Sequence, residues 1–343
     1  SRTLFFLERQ DPGEAPSSVR RGGIFHAEFR GFWRATLRAV SVSPAMAAGS
    51  PYALVILDLT IPGGQGGRET MRLLKEIDPQ AIIYSVPNVA SYVGGDITAG
   101  VLVSQIHKQE KLSLFIDIGT NGEIVLGNKD WLVTAACSAG PAFEGSGIKF
   151  GMRAMEGAIE EVEINPKIFD VNYRVIGDAK PIGICGSGMI DALAEMYLNG
   201  VIDQKGKIRE EIGSKRIRKG ESGLEYVLAW RVENAINKEI VITEVDLDNL
   251  IRAKAAIYAG FSTLLSQMSM GFGDIEKLYI AGGFGRYIDV ERAVIIGMLP
   301  DLPVDKFEFL GNTSIMGAYY GLLCDRLRHE AEEIAKKMTY IEL

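Results

Sequence analysis

Residues 114–131 read LFIDIGTNGEIVLGNKDW, with an Asp, a Gly, a Thr and a second Gly between two strand-like runs. Two readings are open. A hairpin needs only Asn121-Gly122 at its tip. A loop that grips phosphate needs the acid, the small residues and matching parts elsewhere in the chain.

Downstream of this stretch, WLVTAAC reads as a third strand, so SLFIDIG, EIVLGN and WLVTAAC form a β-meander joined by TNG and NKD turns. GPAFEGSGIKFGM follows as a glycine-rich loop, and GAIEEVEIN and YRVIG read as further strands. CGSGMIDALAEMYLNG predicts a helix that starts near Gly188 and stops at Gly200. Residues 203–223 are charged and predict an exposed excursion. ITEVDLDNLIRAKAAIYAGFSTLLSQMSMGFG carries Leu247, Leu250, Ile251, Ile257, Tyr258, Phe261, Leu264, Leu265 and Met268 on one stripe, with Thr243 and Asp246 spaced for a capping box. KLYIAGGFG is a strand plus glycine turn, IDVERAVIIGMLP a short helix, and NTSIMGAYYGLLCDRLRHEAEEIAKKM a long final helix.

A meander followed by helices alternating with strands, with glycine turns at strand ends, suits an α/β ribonuclease-H-like lobe, the unit of the actin, Hsp70 and sugar-kinase superfamily. In such a lobe Asp117 would hold Mg²⁺ through water beside the transferred phosphoryl group. Gly119, Thr120, Asn121 and Gly122 would bring backbone N–H groups close to phosphate. Gly282, Gly283, Phe284 and Gly285 would leave a flat backbone for adenosine. Gly186, Ser187 and Gly188 would open a helix whose N-terminus favours an anion by about 0.3–1 kcal/mol. Each motif also has a plain reading, as a hairpin tip, a strand-to-helix turn and a Ser N-cap. Glu144 in PAFEGSG is a second acid, able to orient water or Mg²⁺ or to cap the next turn.

Upstream, the character of the chain changes twice. Residues 1–50 carry no assigned function and are compatible with loose order or with one amphipathic helix over 26–40. YALVILDLT reads as a strand buried on both faces, and IPGGQGG, RETMRLLKEIDP and AIIYS add a loop, a helix and a second strand. Residues 51–85 thus resemble a β-α-β fragment of a response-regulator receiver domain, which would make Asp58 the phosphoacceptor with Ser85 beside it. No paired acids precede Asp58 to hold the Mg²⁺ that would neutralise the phosphoryl charge.

The whole chain sets outer bounds. It has 343 residues, 47% apolar and 24% charged, as in a soluble globular protein. A net charge of −7 argues against a nucleic-acid or anionic-membrane binder. No apolar run approaches the roughly 20 residues that span a bilayer, and a cytoplasmic location is the default expectation. The three cysteines, Cys137, Cys185 and Cys324, are widely spaced and make no iron–sulfur or zinc pattern.

Taken together, ASYVGGDITAGVL, LFIDIGTNGEIVLGN, ACSAGPAFEGSGIKFGMRA, GICGSGMIDALAEMYLNGVID, LYIAGGFGRYID and GNTSIMGA closely resemble the ATPase region of the reductive activators of corrinoid proteins, over residues 86–335. The resemblance implies ATP and Mg²⁺ as cofactors. It implies a corrinoid iron–sulfur protein or a corrinoid methyltransferase component as partner, and restoration of Co(I) from Co(II) as the activity. A homodimer stays open as an assembly. The electron would enter through a ferredoxin-like domain whose cysteines this chain lacks, so no iron–sulfur cluster is expected here. The first lobe of the superfamily is not recognisable either, and the join near residues 85 and 86 suggests a truncated or chimeric chain with residues 336–343 as a tail. A non-catalytic nucleotide- or partner-binding module and a small-molecule kinase of the same superfamily remain as alternatives.

Overall fold

The computed structural model describes residues 5–8, 52–56, 72, 76, 82–282 and 288–343. Asp58, the stretch 26–40, and Gly283, Phe284 and Gly285 lie outside the described residues. The chain divides into two compact units, residues 1–103 with 314–337, and residues 104–313 with 338–343.

In the first unit, β1 (Phe5–Glu8) runs antiparallel to β2 (Tyr52–Ile56), which runs parallel to β3 (Ile82–Tyr84). Helix α1 (Gly95–Ser104) follows, starting two residues earlier than the sequence predicts. The Thr98 hydroxyl in this helix donates to the Pro87 carbonyl at 2.7 Å. The long C-terminal helix expected from the sequence is two helices, Thr313–Leu323 and Asp325–Lys337, separated at Cys324. Gly317 lies against Ala99, where a side chain would find no room.

The second unit holds the meander. Strands β4 (Ser113–Ile118), β5 (Gly122–Gly127) and β6 (Leu132–Cys137) pair antiparallel as the sequence predicts. Strands β7 (Ala158–Ile164), β8 (Val171–Val175) and β9 (Gly183–Ile184) form a separate sheet in the order β8-β7-β9. Helix α2 (Gly186–Leu198) packs on β7. Strands β10 (Ile217–Gly220), β11 (Gly223–Ala229) and β12 (Ile240–Thr243) make a third sheet, which leads into helix α3 (Glu244–Gln267). Then come β13 (Lys277–Ala281), helix α4 (Val290–Ile295), β14 (Phe307–Gly311) and β15 (Met338–Tyr340). The central sheet is mixed, in the order β14-β13-β4-β5-β6-β15.

Burial explains the central strands. Leu114, Ile116, Ile118, Ile124 and Leu126 enter the main core, while Phe115 and Val125, cross-strand partners, are buried outside that cluster. Each fully buried side chain of this size contributes roughly 1.5–3 kcal/mol relative to exposure. Helix α3 lies on β5 and β6, and Gly260 permits the approach, because a Cβ there would lie 2.8 Å from Ile124 Cδ1 and 3.1 Å from Cys137 Cβ. Leu247, Leu250, Ile257, Phe261, Leu264 and Leu265 form its buried stripe. Tyr258, expected on that stripe, is 36% exposed and packs edge-on against Phe261.

Two expectations are corrected. Residues 338–340, expected within a tail, are a strand paired in parallel with Leu132–Thr134. The stretch 203–223, expected as an exposed excursion, buries Ile208 and Arg216. The Arg216 guanidinium donates to the carbonyls of Val227 and Leu228, pairs with Asp170 and stacks over Trp230 at 5.2 Å. An arginine so fully paired can be buried without an unsatisfied donor.

The capping box at the start of α3 is present. Thr243 Oγ1 accepts from Asp246 N at 3.1 Å, and Asp246 Oδ2 accepts from Thr243 N at 2.9 Å. Asp246 Oδ1 also accepts from Lys149 N at 2.9 Å, which ties the glycine-rich loop to the helix start. Thr243→Ala is therefore expected to lower stability by about 1 kcal/mol. Asp246→Ala, which frees two backbone donors, should cost more. Urea unfolding of both variants checks the order.

Candidate functional site

Strands β4, β13 and β14 run parallel and end at one edge of the sheet, where open α/β sheets place their ligands. The register sets Ala281 of β13 opposite Asp117 of β4. The next residue, Gly282, turns away at φ +114, and its N–H donates to the Gly311 carbonyl at 3.1 Å. A Cβ on Gly282 would collide with the Ile118 carbonyl oxygen and lie 3.2 Å from Asp117 Oδ1. Glycine is needed here both for the left-handed backbone and for the close approach.

The β4–β5 turn, Gly119–Thr120–Asn121, protrudes at the same edge. Gly119 N donates to Asn121 O at 2.9 Å and closes it. Over it lies the carboxylate of Glu144, carried by a 3₁₀ turn, Ala142–Glu144, that ends on left-handed Gly145. Glu144 Oε2 accepts from Thr120 Oγ1 at 3.0 Å, and Oε1 lies 3.7 Å from the Cβ position of Gly119. The loop behind Glu144 is fixed at both ends. Gly145 meets the backbone of Gly151 and Met152 without room for a side chain, and Asn249 Nδ2 donates to Gly147 O at 3.0 Å. Helices α2 and α3 both pack on the 3₁₀ turn.

Asp117, Gly119, Thr120, Asn121, Glu144 and Gly282 are thus brought together. Gly122, at the base of the turn, receives the Cys137 thiol on its carbonyl at 3.2 Å, and burial pushes that thiol up to about 11, so it is no thiolate near neutral pH. Gly186, Ser187 and Gly188 open α2 one residue after Cys185, which serves as the N-cap without a side-chain hydrogen bond. The sequence places Ser187 as the cap; in the structure its hydroxyl sits 3.4 Å from Cys185 Sγ. Gly188 has a packing role, since a Cβ there would strike the Ile159 carbonyl of β7. Thr313 was not singled out in the sequence. It is fully buried two residues after Gly311, and among the described residues its hydroxyl has no hydrogen-bond partner. Only its place after a strand-end glycine could have drawn attention to it.

A second polar cluster flanks α2. An open pocket of about 490 Å³ is lined by Glu160, Glu161, Arg174, Ser187, Asp191 and Arg292, among others. Arg292 donates to Glu195 Oε1 at 2.8 Å and to Val162 O at 3.1 Å, and its Nε stands 3.7 Å from Asp191 Oδ1. It joins α4, α2 and β7. Burial pushes the Asp191 carboxyl up to about 7, against the lowering effect of Arg292 and of the Val162 N–H, with Asp289 and Glu161 adding to the rise.

A six-stranded mixed sheet with Asp117 and the Gly282 turn at its parallel strand ends is that of an actin-like lobe. A family model described as the C-terminal domain of RACo, the ASKHA domain, matches residues 111–343, and one described as the RACo middle region matches residues 41–109. The chain belongs to this RACo family. It is 37% identical over 275 residues to the corrinoid activation enzyme RamQ of Eubacterium limosum, covering 78% of this chain and 46% of that one. It is 30% identical over 273 residues to the [Co(II) methylated amine-specific corrinoid protein] reductase of Methanosarcina barkeri, covering 74% of this chain and 46% of the relative. A solved reductive activator for corrinoid,iron-sulfur protein shares 56% identity at a TM-score of 0.75, over 77% of this chain and 42% of that chain. The chain therefore spans less than half the length of these relatives. The middle-region match runs through residues 51–85, expected from the sequence as a receiver-like fragment, and continues across residues 85 and 86, expected as a join.

Two expectations follow from this geometry. Gly282→Ala forces a side chain into a left-handed position against Ile118 and should destabilise the protein by more than about 1 kcal/mol, read from its thermal midpoint. Asp191 gains its proton on folding, so the native state binds more protons than the unfolded chain, and stability falls as pH rises from near 4 through about 7. Asp191→Asn should flatten that slope in unfolding measured across the window, by an amount on the order of a few kcal/mol.

Proposed function

We propose that this chain is the ATP-binding part of a reductive activator that returns a corrinoid protein from Co(II) to Co(I). The observation that carries the reading is the strand-end cluster of Asp117, the 119–121 turn, Glu144 and Gly282. Family membership gives its context, and the names of the relatives supply the substrate class.

The residues fit a nucleotide. Gly282 keeps side-chain atoms away from Ile118 and Asp117, and Gly119 leaves open the space in front of Glu144. The Gly119 N–H is committed to Asn121 O, which leaves the N–H groups of Thr120 and Asn121 to receive phosphate oxygens. Among the described residues no group of three or more His, Cys, Asp or Glu side chains could hold a metal alone. Mg²⁺ takes one or two carboxylates, several waters and the nucleotide's own phosphates. Asp117 and Glu144 would be those carboxylates, and the bound ion would neutralise charge on the phosphates. Thr120 fixes the Glu144 carboxylate over the turn, where it can orient an attacking water. The water adds to the γ-phosphorus as the bond to the ADP oxygen breaks, and ADP and phosphate leave.

Reduction of Co(II) needs one electron, and the residues of this site supply none. Hydrolysis would instead shift the conformation in which the activator docks on its corrinoid iron–sulfur or methyltransferase partner. Titration calorimetry tests the reading. The chain should bind ATP more tightly with Mg²⁺ than without, and Asp117→Asn and Glu144→Gln should each remove that difference. No binding at millimolar ATP sinks the proposal. Binding without phosphate release would identify a nucleotide-binding module rather than an ATPase.

A further inference from the structure

The cluster just described brings two carboxylates to a site proposed for phosphates, where a fixed cation would add to the charge that Mg²⁺ supplies. Lys254 is a candidate for that cation. It lies on α3 one turn before Ile257, whose Cγ1 is 3.6 Å from the Cβ position of Gly122 at the base of the hairpin turn. In the other direction Asn249 holds Gly147 of the loop that carries Glu144. Lys254 therefore stands between these two anchors, about 4–5 Å along the axis from Ile257.

On its helix Lys254 follows Leu250 by four residues and precedes Phe261 by seven, both fully buried, so it leaves the inward flank of the helix. Its Nζ reaches to 3.4 Å from the Cβ position of Gly297, the left-handed turn after α4. Among the described residues no hydrogen bond or ion pair reaches the ammonium. Burial alone pulls its pKa down. Arg216 has Asp170, Arg218 has Glu225 and Arg292 has Glu195, while the half-buried Lys277 and Lys306 donate to the carbonyls of Asp305 and Ile275. A desolvated ammonium with no counter-charge is costly, and such groups concentrate at functional sites.

We propose that Lys254 is the cation of the nucleotide site, donating from Nζ to a phosphate oxygen of bound ATP. This rests on the reading of the 117–122 and 282 cluster as an ATP site. In this assignment the effect of Lys254 falls on the phosphates and not on adenosine. Between phosphates it acts as a point charge rather than a bidentate clamp.

The test uses the whole chain with two probes, MgATP and adenosine, in titration calorimetry. Lys254→Met should weaken MgATP by about tenfold or more, the scale of one charge-assisted hydrogen bond, and leave adenosine unchanged. Lys254→Arg should restore part of the MgATP affinity. The methionine variant should unfold in urea at a midpoint equal to or above that of the parent, since it removes a desolvated charge, so lost affinity will not reflect lost structure. Unchanged MgATP affinity in Lys254→Met overturns the proposal while the ATP-site reading stands. An equal loss for both probes also overturns it, because it puts the lysine on the adenosine or on the fold. A parent chain that binds neither probe removes both readings together.

Discussion

The parallel pairing of β13 to β4 is the constraint on which the site depends. Its register puts Ala281 beside Asp117 and obliges Gly282 to turn across the Ile118 carbonyl in a conformation that only glycine takes without strain. A slip of one residue would send Asp117 to the opposite face and place a side chain where the turn must pass. The buried alternation of Leu114, Ile116 and Ile118 on one face against Phe115 on the other holds that register. Packing chosen for the core thus decides the position of a carboxylate at the surface edge.

Much of this was legible in the sequence, and the legible parts share a cause. The meander declared itself because β4, β5 and β6 are joined by turns of three and four residues, so their pairing is local. The α3 capping box was readable for the same reason, since Thr243 and Asp246 are three residues apart. The parts that were not legible depend on distant partners. Nothing in Met338-Thr339-Tyr340 announces a strand, because its partner is Leu132–Thr134. Arg216 looks like a surface charge until Asp170, Trp230 and two carbonyls surround it. The single final helix failed at Cys324, where neither a Gly nor a Pro marks the break.

The site shows the same division. Asp117, Gly119 and Gly282 were singled out from motif chemistry, and the sheet brings them to one edge. Glu144 could be named but not aimed, since its place over the turn comes from Gly145, Gly151, Asn249 and the start of α3. Gly188 was legible as a small residue and misleading as to cause, because the space it leaves is filled by a carbonyl of β7. Lys254, proposed above as a cation of that site, belongs to no motif. A lysine aligned with Leu250 and Phe261 on an apolar stripe is a signal that a motif search passes over.

The last strand has a consequence for solubility. β15 lies along β6 and takes up its outer row of backbone groups, and Ile341 N continues the ladder to Thr134 O at 2.8 Å. Without it, β6 would present Leu132–Cys137, an apolar strand whose first four residues are buried, as an open edge ready to pair with another chain. Three residues of modest hydrophobicity therefore act as a cover against self-association, and they do so from the far end of the polypeptide. A variant shortened before Met338 would keep the strand-end cluster of Asp117 and Gly282 and lose its protection from edge-to-edge aggregation.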